Sequence, residues 1–368
     1  MFNARSFVVS ALCCLTILLV MVGVIMVLSS SFKEANVYGY MGRQLIWFSI
    51  GLAGMFYFSN KNYNIWEDYS RWIMLATLIL LSLVFFFPEV NGAHRWIRVL
   101  GFSFQPSDAA KLSLIIYLSA TWANRLDRMD SFIHGALAPL GMLIFTLALV
   151  VIEPDHSTTF FICVLAVIIW FAAGGRLMHL TPALLLMLAG IFFMLYTKPH
   201  LFVRIDAFLH PENYQATKAY QLYTALVGFA HGGLWGVGIG EGMQKLGFTP
   251  EPHTDFIFST MGEELGFVWC SAILGVFLTL ITLGYLTAMR CTNPFGRLVA
   301  VGCTSAIGLQ AVLNIAVVTG TIPTTGISLP FISYGGSSLV ISMTMVGLLM
   351  NIAKETFGVG DIPVRGNN

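Results

Sequence analysis

Long apolar runs, separated by short charged stretches, alternate along the whole chain. A hydrocarbon core of about 30 Å needs roughly 20 mostly apolar residues per helix, somewhat fewer where flanking side chains snorkel. Ten segments meet this: 7–28, 43–59, 72–87, 107–123, 135–152, 158–174, 182–197, 256–287, 296–318 and 337–353. The shortest, 72–87 and 182–197, also have a length that suits a re-entrant segment. The pattern predicts an all-α polytopic membrane protein of about ten transmembrane helices. Residues 1–355 form one transmembrane domain, with a long loop at about 198–255 between the seventh and eighth helices, and 356–368 form a short polar tail.

Composition agrees. Of the 368 residues, 57% are hydrophobic and 10% charged, against roughly 25% charged in soluble domains. The net charge of +1 gives no bulk electrostatic reason to expect a nucleic-acid partner. Cys13, Cys14, Cys163, Cys270, Cys291 and Cys303 fall in or beside apolar runs without zinc or redox spacing, and are expected as packing or lipid-facing residues. The run Phe7 to Leu28 is too long for a signal-peptide core and lacks a small-residue cleavage pattern, so it is expected to stay as a helix.

With the amino terminus inside, ten Lys and Arg fall on the inner side and eight on the outer, four of these (Lys198, Arg204, Lys218, Lys245) in the long loop. Long loops count little toward the positive-inside rule, so both termini are expected in the cytoplasm. A loop of this length is usually functional or disordered, and its aromatic and glycine content argues against disorder.

In this orientation the loop before the fourth helix, the turn between the fifth and sixth, the long loop and the loop between the ninth and tenth all open outward, and three of these four carry the unusual charges. The first holds His94, Arg95, Arg98, Asp108 and Lys111, the second Glu153, Asp155 and His156, the third Glu251, His253 and Asp255. Such convergence at one membrane face points to a site. Asp108 and Lys111 share a helical face and can pair; a pair that only holds helices together fits as well as one that serves a ligand. Thr254 or Asp255 is placed to cap the eighth helix. Asp255, with His253 two residues before it, is also placed to act as a base on a hydroxyl. The two roles are compatible.

Glu263 and Glu264 are expected to face the interior, toward Arg or Lys of a neighbouring helix. Gly236, Gly238, Gly240 and Gly242 alternate, but no strand precedes them and no Gly-Lys-Ser/Thr follows, so a nucleotide loop is not expected. They are expected to let an outer loop lie close against helices. The uncharged stretch 319–338, TGTIPTTGISLPFISYGGSS, is backbone that survives near a bilayer only when buried in protein or lining a wet cavity. A cavity wall is the expectation, a tight turn the alternative.

Five segments, GAHRWIRVLGFSFQPSDAAKL (92–112), EPDHSTT (153–159), YQLYTALVGFAHGGLWGVGIGEGMQK (220–245), PEPHTDFIFSTMGEELGF (250–267) and PTTGISLPFISYGGSSL (323–339), together resemble the SEDS family, the FtsW, RodA and SpoVE group. The likeness spans all ten predicted helices, and HTDFIF followed by GEELG is highly specific. Gln244-Lys245 is more similar to the division-type FtsW and SpoVE branch than to elongation-type RodA. The resemblance implies a bacterial cytoplasmic-membrane enzyme that polymerises lipid II on the outer face, releasing polyprenyl diphosphate. It also implies a class B penicillin-binding protein and other division proteins as partners. By the same resemblance Asp255 matches the catalytic carboxylate, Lys111 the buried lysine, Asp155 the acid of the family's QPD segment, and Arg95 the arginine of its RRWI segment. Two departures stand out: Asp108 replaces the usual Glu of QPSE, and Glu153 replaces the usual Gln of QPDFG.

On this reading Asp255 accepts the proton of an attacking 4-hydroxyl in an inverting glycosyl transfer. Lys111, Arg95 and Arg98, in that order, are candidates to stabilise the departing diphosphate, and Asp108, Asp155 and His253 are expected beside the substrate. A divalent cation, Mg or Mn, could share that duty, although no ligand cluster demands one. The rivals are a lipid II flippase and a non-catalytic scaffold for division proteins. A flippase should carry charge near the midplane and often shows paired repeats; charges gathered toward one face and no internal repeat favour the enzyme. The scaffold explains the helices but not the charged outer face.

Overall fold

The structure, a computed structural model, describes residues 4–31, 37–89, 93–99, 102–129, 131, 137–176, 178, 206, 208, 220–243 and 254–358. Nine of the predicted spans coincide with helices: α1 (Ala4–Ser30), α2 (Val37–Asn60), α4 (Ser70–Leu83), α5 (Pro106–Ala123), α6 (Leu137–Ile152), α7 (His156–Ala172), α9 (Ile257–Arg290), α10 (Pro294–Val318) and α11 (Gly336–Thr356). The seventh, 182–197, lies outside the described residues, as do most of the long loop and the tail beyond 358. A short α3 (Asn64–Asp68) links α2 to α4. Two elements depart from a ten-span, loop-connected reading. An antiparallel hairpin of β1 (Ile97–Val99) and β2 (Phe102–Phe104), pairing Arg98 with Ser103, precedes α5. Three-residue strands carry too little alternation to stand out. Within the stretch read as loop lies α8 (Tyr220–Gly232).

The helix starts follow from local chemistry. Pro106 begins α5 with Asp108 in its first turn, which suits the missing N–H of proline and the positive end of the dipole. Asn293 caps α10 by accepting the Gly296 N–H at 3.1 Å. For α9 the cap expectation needs correction: the helix starts at Ile257, and the capping position falls on Phe256. Asp255 stands one residue outside it.

α5 and α11 are buried on almost every side, whereas α1 and α9 present Leu18, Met21, Ile25 and Leu278 outward. A helix apolar all round belongs inside a bundle or facing lipid. α2 and α11 lie side by side and parallel, with Trp47 against Gly336, Met343 against Gly51 and Met55 against Gly347. A Cβ at Gly347 would fall 2.4 Å from the Met55 carbonyl oxygen, so the small residue permits backbone contact. At the far end of the pair, Asn351 donates to the Phe58, Ser59 and Lys61 carbonyls and Lys354 to that of Ser59. These supply the terminal carbonyls of α2 with partners it cannot provide itself.

α9 is broken at Gly266, whose φ of 79° and ψ of 179° are non-helical and open essentially to glycine alone. The segment after α8 repairs the break. Val237 and Gly238 N–H groups donate to the Glu263 and Glu264 carbonyls, both at 3.0 Å, while Phe267 and Val268 donate to the Gly233 and Leu234 carbonyls at 3.0 and 3.1 Å. Non-helical backbone at membrane depth needs such internal partners. The expectation that the alternating glycines allow close approach is met at Gly236, where a Cβ would sit 2.2 Å from the Glu264 carbonyl oxygen.

Glu263 and Glu264, buried beside this seam, have described partners of a different kind from the expected Arg or Lys. Glu263 accepts from the Met243 N–H and meets His231 Nδ1, each at 2.9 Å, and Glu264 accepts from Ser29 at 2.6 Å. Gly266→Ala should cost about 1–3 kcal/mol from conformation alone, and its Cβ would also strike Gly236 N at 2.2 Å. A clear fall in thermal unfolding temperature in detergent is the expected outcome, and an unchanged melting curve would contradict the seam.

Candidate active site

Four segments meet at one end of the bundle. They are the hairpin and start of α5, the α6–α7 turn, the residues before α9, and the uncharged stretch before α11.

Asp108 and Lys111 form an ion pair of 2.9 Å, with side chains only 7% and 8% exposed. The second Asp108 oxygen accepts from Ser337 at 2.8 Å, and Lys111 Nζ lies 5.1 Å from the centre of the Phe161 ring. A buried pair of this kind holds only when its remaining valences are met, and Ser337, brought from 229 residues away, meets one.

Asp155 is the N-cap of α7: its Oδ1 accepts the Thr158 N–H at 3.2 Å and its Oδ2 accepts from Gln105 Nε2 at 3.1 Å. The Gln105 N–H in turn donates to Ser337 at 3.3 Å. Through Gln105 and Ser337, then, Asp155 joins the Asp108–Lys111 pair. On the other side of the turn Ser157 donates to the Thr325 carbonyl, tying α7 to the uncharged stretch.

That stretch leads on to Asp255. Asn314 of α10 donates to the main-chain carbonyls of Asp255 and Ile327, both at 2.8 Å. A Cβ added to Gly326 would lie 3.4 Å from Asp255 Oδ2. Gly326 has φ +76°, so glycine supplies a backbone shape that other residues resist, and the side chain it lacks leaves the space beside the carboxylate open. Residues 323–338 are thus the wall common to Asp255, Asp155 and the buried pair.

The arginines are placed differently. Arg95 directs Nε to the Glu153 carbonyl at 3.1 Å and Nη2 to that of Pro154, clamping the α6–α7 turn by its backbone. Arg98 is exposed on β1, opposite Ser103 of β2. His94 bonds the Phe87 carbonyl at 2.7 Å and Glu89 at 3.2 Å. His253 lies outside the described residues.

Glu153 is fully buried, and among the described residues neither carboxyl oxygen has a hydrogen-bond partner. Burial pushes its carboxyl up to about 8, with Asp155 adding to the rise and Arg95 opposing it.

A family model described as a cell cycle protein of the FtsW, RodA and SpoVE type matches residues 10–357. The chain belongs to that family. A probable peptidoglycan glycosyltransferase FtsW from Geobacter sp. (strain M18) is 36% identical over 353 residues, covering 94% of this chain and 96% of the relative. Stage V sporulation protein E of Bacillus subtilis (strain 168) is 36% identical over 349 residues, covering 92% and 95%. Among solved structures, a chain from work on the coordination of polymerization and crosslinking by a peptidoglycan synthase complex superposes with a TM-score of 0.80 at 25% identity, covering 94% and 97%. The rod shape determining protein RodA of Thermus thermophilus gives 0.68 at 26% identity, covering 94% and 96%. Membership in the FtsW/RodA/SpoVE family, with several long apolar helices, makes this a multi-pass membrane protein.

Gln105, Ser157, Asn314, Gly326 and Ser337 were not singled out by sequence reasoning. Four of them sit inside the motifs quoted above, where the signal existed but carried no pairing information. Asn314 offered another signal, a polar residue within an apolar helix.

Proposed function

We propose that this peptidoglycan glycosyltransferase lengthens glycan strands from lipid II at the end of the bundle just described, on the outer face of the cytoplasmic membrane. The observation that carries the reading is the shared wall: one uncharged stretch passes beside the Asp255 carboxylate at Gly326 and bonds Asp108 of the buried pair through Ser337. That stretch presents hydroxyls and main chain between a candidate base and a buried cation.

Glycosyl transfer needs both. As the new bond forms at the anomeric carbon, Asp255 accepts the 4-hydroxyl proton. As the bond to diphosphate breaks, negative charge grows on the leaving oxygens, and a fixed cation in a water-poor site stabilises it. Lys111 is the nearer fit, since Arg95 is committed to holding the turn and Arg98 stands on the exposed hairpin. A divalent cation carried by the diphosphate itself would add to that charge; among the described residues no group of three or more His, Cys, Asp or Glu is arranged to hold one. A class B penicillin-binding protein is the partner this reading favours, in keeping with the synthase complex among the structural relatives.

Purified protein in detergent, given lipid II alone, is expected to make glycan strands. A flippase would move lipid II across vesicles and make no polymer, and a scaffold would do neither. Absence of polymer both alone and with the crosslinking partner would overturn the proposal.

A further inference from the structure

A buried carboxyl group without a partner stands at the edge of this site. Glu153 has 0% exposure, and neither of its oxygens finds a hydrogen-bond donor among the described residues. An ionised carboxylate so placed would be strongly disfavoured. The obvious local counter-charge is not used for it: Arg95 reaches the same turn but donates to the Glu153 and Pro154 carbonyl oxygens. Two residues on, Asp155 is the reverse case. Both its oxygens accept hydrogen bonds, from the Thr158 N–H and from Gln105. Two carboxyl groups in one turn therefore differ, one without a donor among the described residues and one held at both oxygens.

We propose that Glu153 is a positioning residue for polymerisation: it holds a proton in the working enzyme, and that proton keeps negative charge out of the turn in which Asp155 anchors Gln105 and α7. The inference rests on the functional reading above and assigns Glu153 no contact with substrate. The charges acting on it are Asp155 in its own turn and Arg95 from the segment before β1. Loss of the proton puts a second anion beside Asp155 and draws the Arg95 guanidinium off the carbonyls that fix the turn. Gln105 then loses a well-defined acceptor, and the link through Ser337 to Asp108 and Lys111 loosens.

The sign of the pH dependence follows. Glu153 keeps its proton in the folded protein up to about 8, against an ordinary value of 4.5. Between those limits the folded state binds more protons than the unfolded one, so stability falls as pH rises through the window. Glu153→Gln keeps the shape and removes the titration.

The test is strand synthesis by wild type and Glu153→Gln from pH 6 to 10, with thermal unfolding over the same range. Wild type is expected to lose activity above about pH 8, by roughly tenfold per pH unit, and to fall progressively below the variant in melting temperature. The variant should retain activity in the alkaline range. Identical alkaline limbs in the two proteins would overturn the inference, while polymer made by wild type at pH 7 would leave the functional reading standing. Should the variant fail to fold, infrared spectra of wild type decide instead. A protonated carboxyl band that disappears between pH 7 and 9 supports the proposal, and no such band refutes it.

Discussion

Asp255→Asn is expected to reduce glycan synthesis by at least about 10²-fold, the lower end of what a positioned base contributes, while leaving the protein folded and able to bind lipid II. The amide is nearly the same shape but cannot take a proton from the attacking hydroxyl. Its surroundings should survive the change, because Asn314 grips the main chain at residue 255 and not the side chain. Residue 255 also lies before the capping position of α9, so the helix start should be preserved. Strand synthesis, thermal unfolding and lipid II binding should be measured on one preparation. Undiminished synthesis would remove Asp255 from the role of base, whereas loss of synthesis together with the fold would return it to a structural one.

The second large effect concerns the buried pair. Lys111→Ala leaves Asp108 charged, 5% exposed and supported by Ser337 alone among its described partners. Removing one member of such a pair is expected to destabilise by about 3–5 kcal/mol. The double variant Asp108→Asn with Lys111→Met removes both charges and should recover most of that stability. It therefore separates the two readings of the pair. If the charges only brace α5, synthesis should return with the fold. If Lys111 receives the diphosphate, the double variant should be folded and still inactive. We expect the second outcome, measured by chemical or thermal unfolding beside strand synthesis.

Much of this arrangement was legible in the sequence, and the pattern of successes has a physical cause. Burial in lipid demands long apolar runs, so α1, α2, α9, α10 and α11 announce themselves by composition. Proline at 106 and aspartate at 108 mark the start of α5 just as clearly, because both act through the backbone next to them. Pairings across distance were hidden. Nothing in the spacing of Ser337 says that it will meet Asp108, and Arg95 reads as a ligand for an anion until the carbonyls of residues 153 and 154 are seen to occupy it. Glu263 and Glu264 were read correctly as interior residues, yet the histidine, hydroxyl and main-chain N–H that receive them come from elements whose proximity only the fold provides. The hairpin before α5 escaped notice because its strands are three residues long.

The seam between the residues after α8 and the interrupted α9 is knitted from amides and carbonyls, so its sequence requirements fall on what must be absent. Gly236 and Gly266 are needed for the lack of a Cβ, Val237 and Phe267 contribute N–H groups that every residue except proline possesses, and Leu234 contributes a carbonyl that every residue possesses. Side chains at those three positions can accordingly be exchanged to suit whatever lipid or neighbour they meet, with the stitching beneath them left intact.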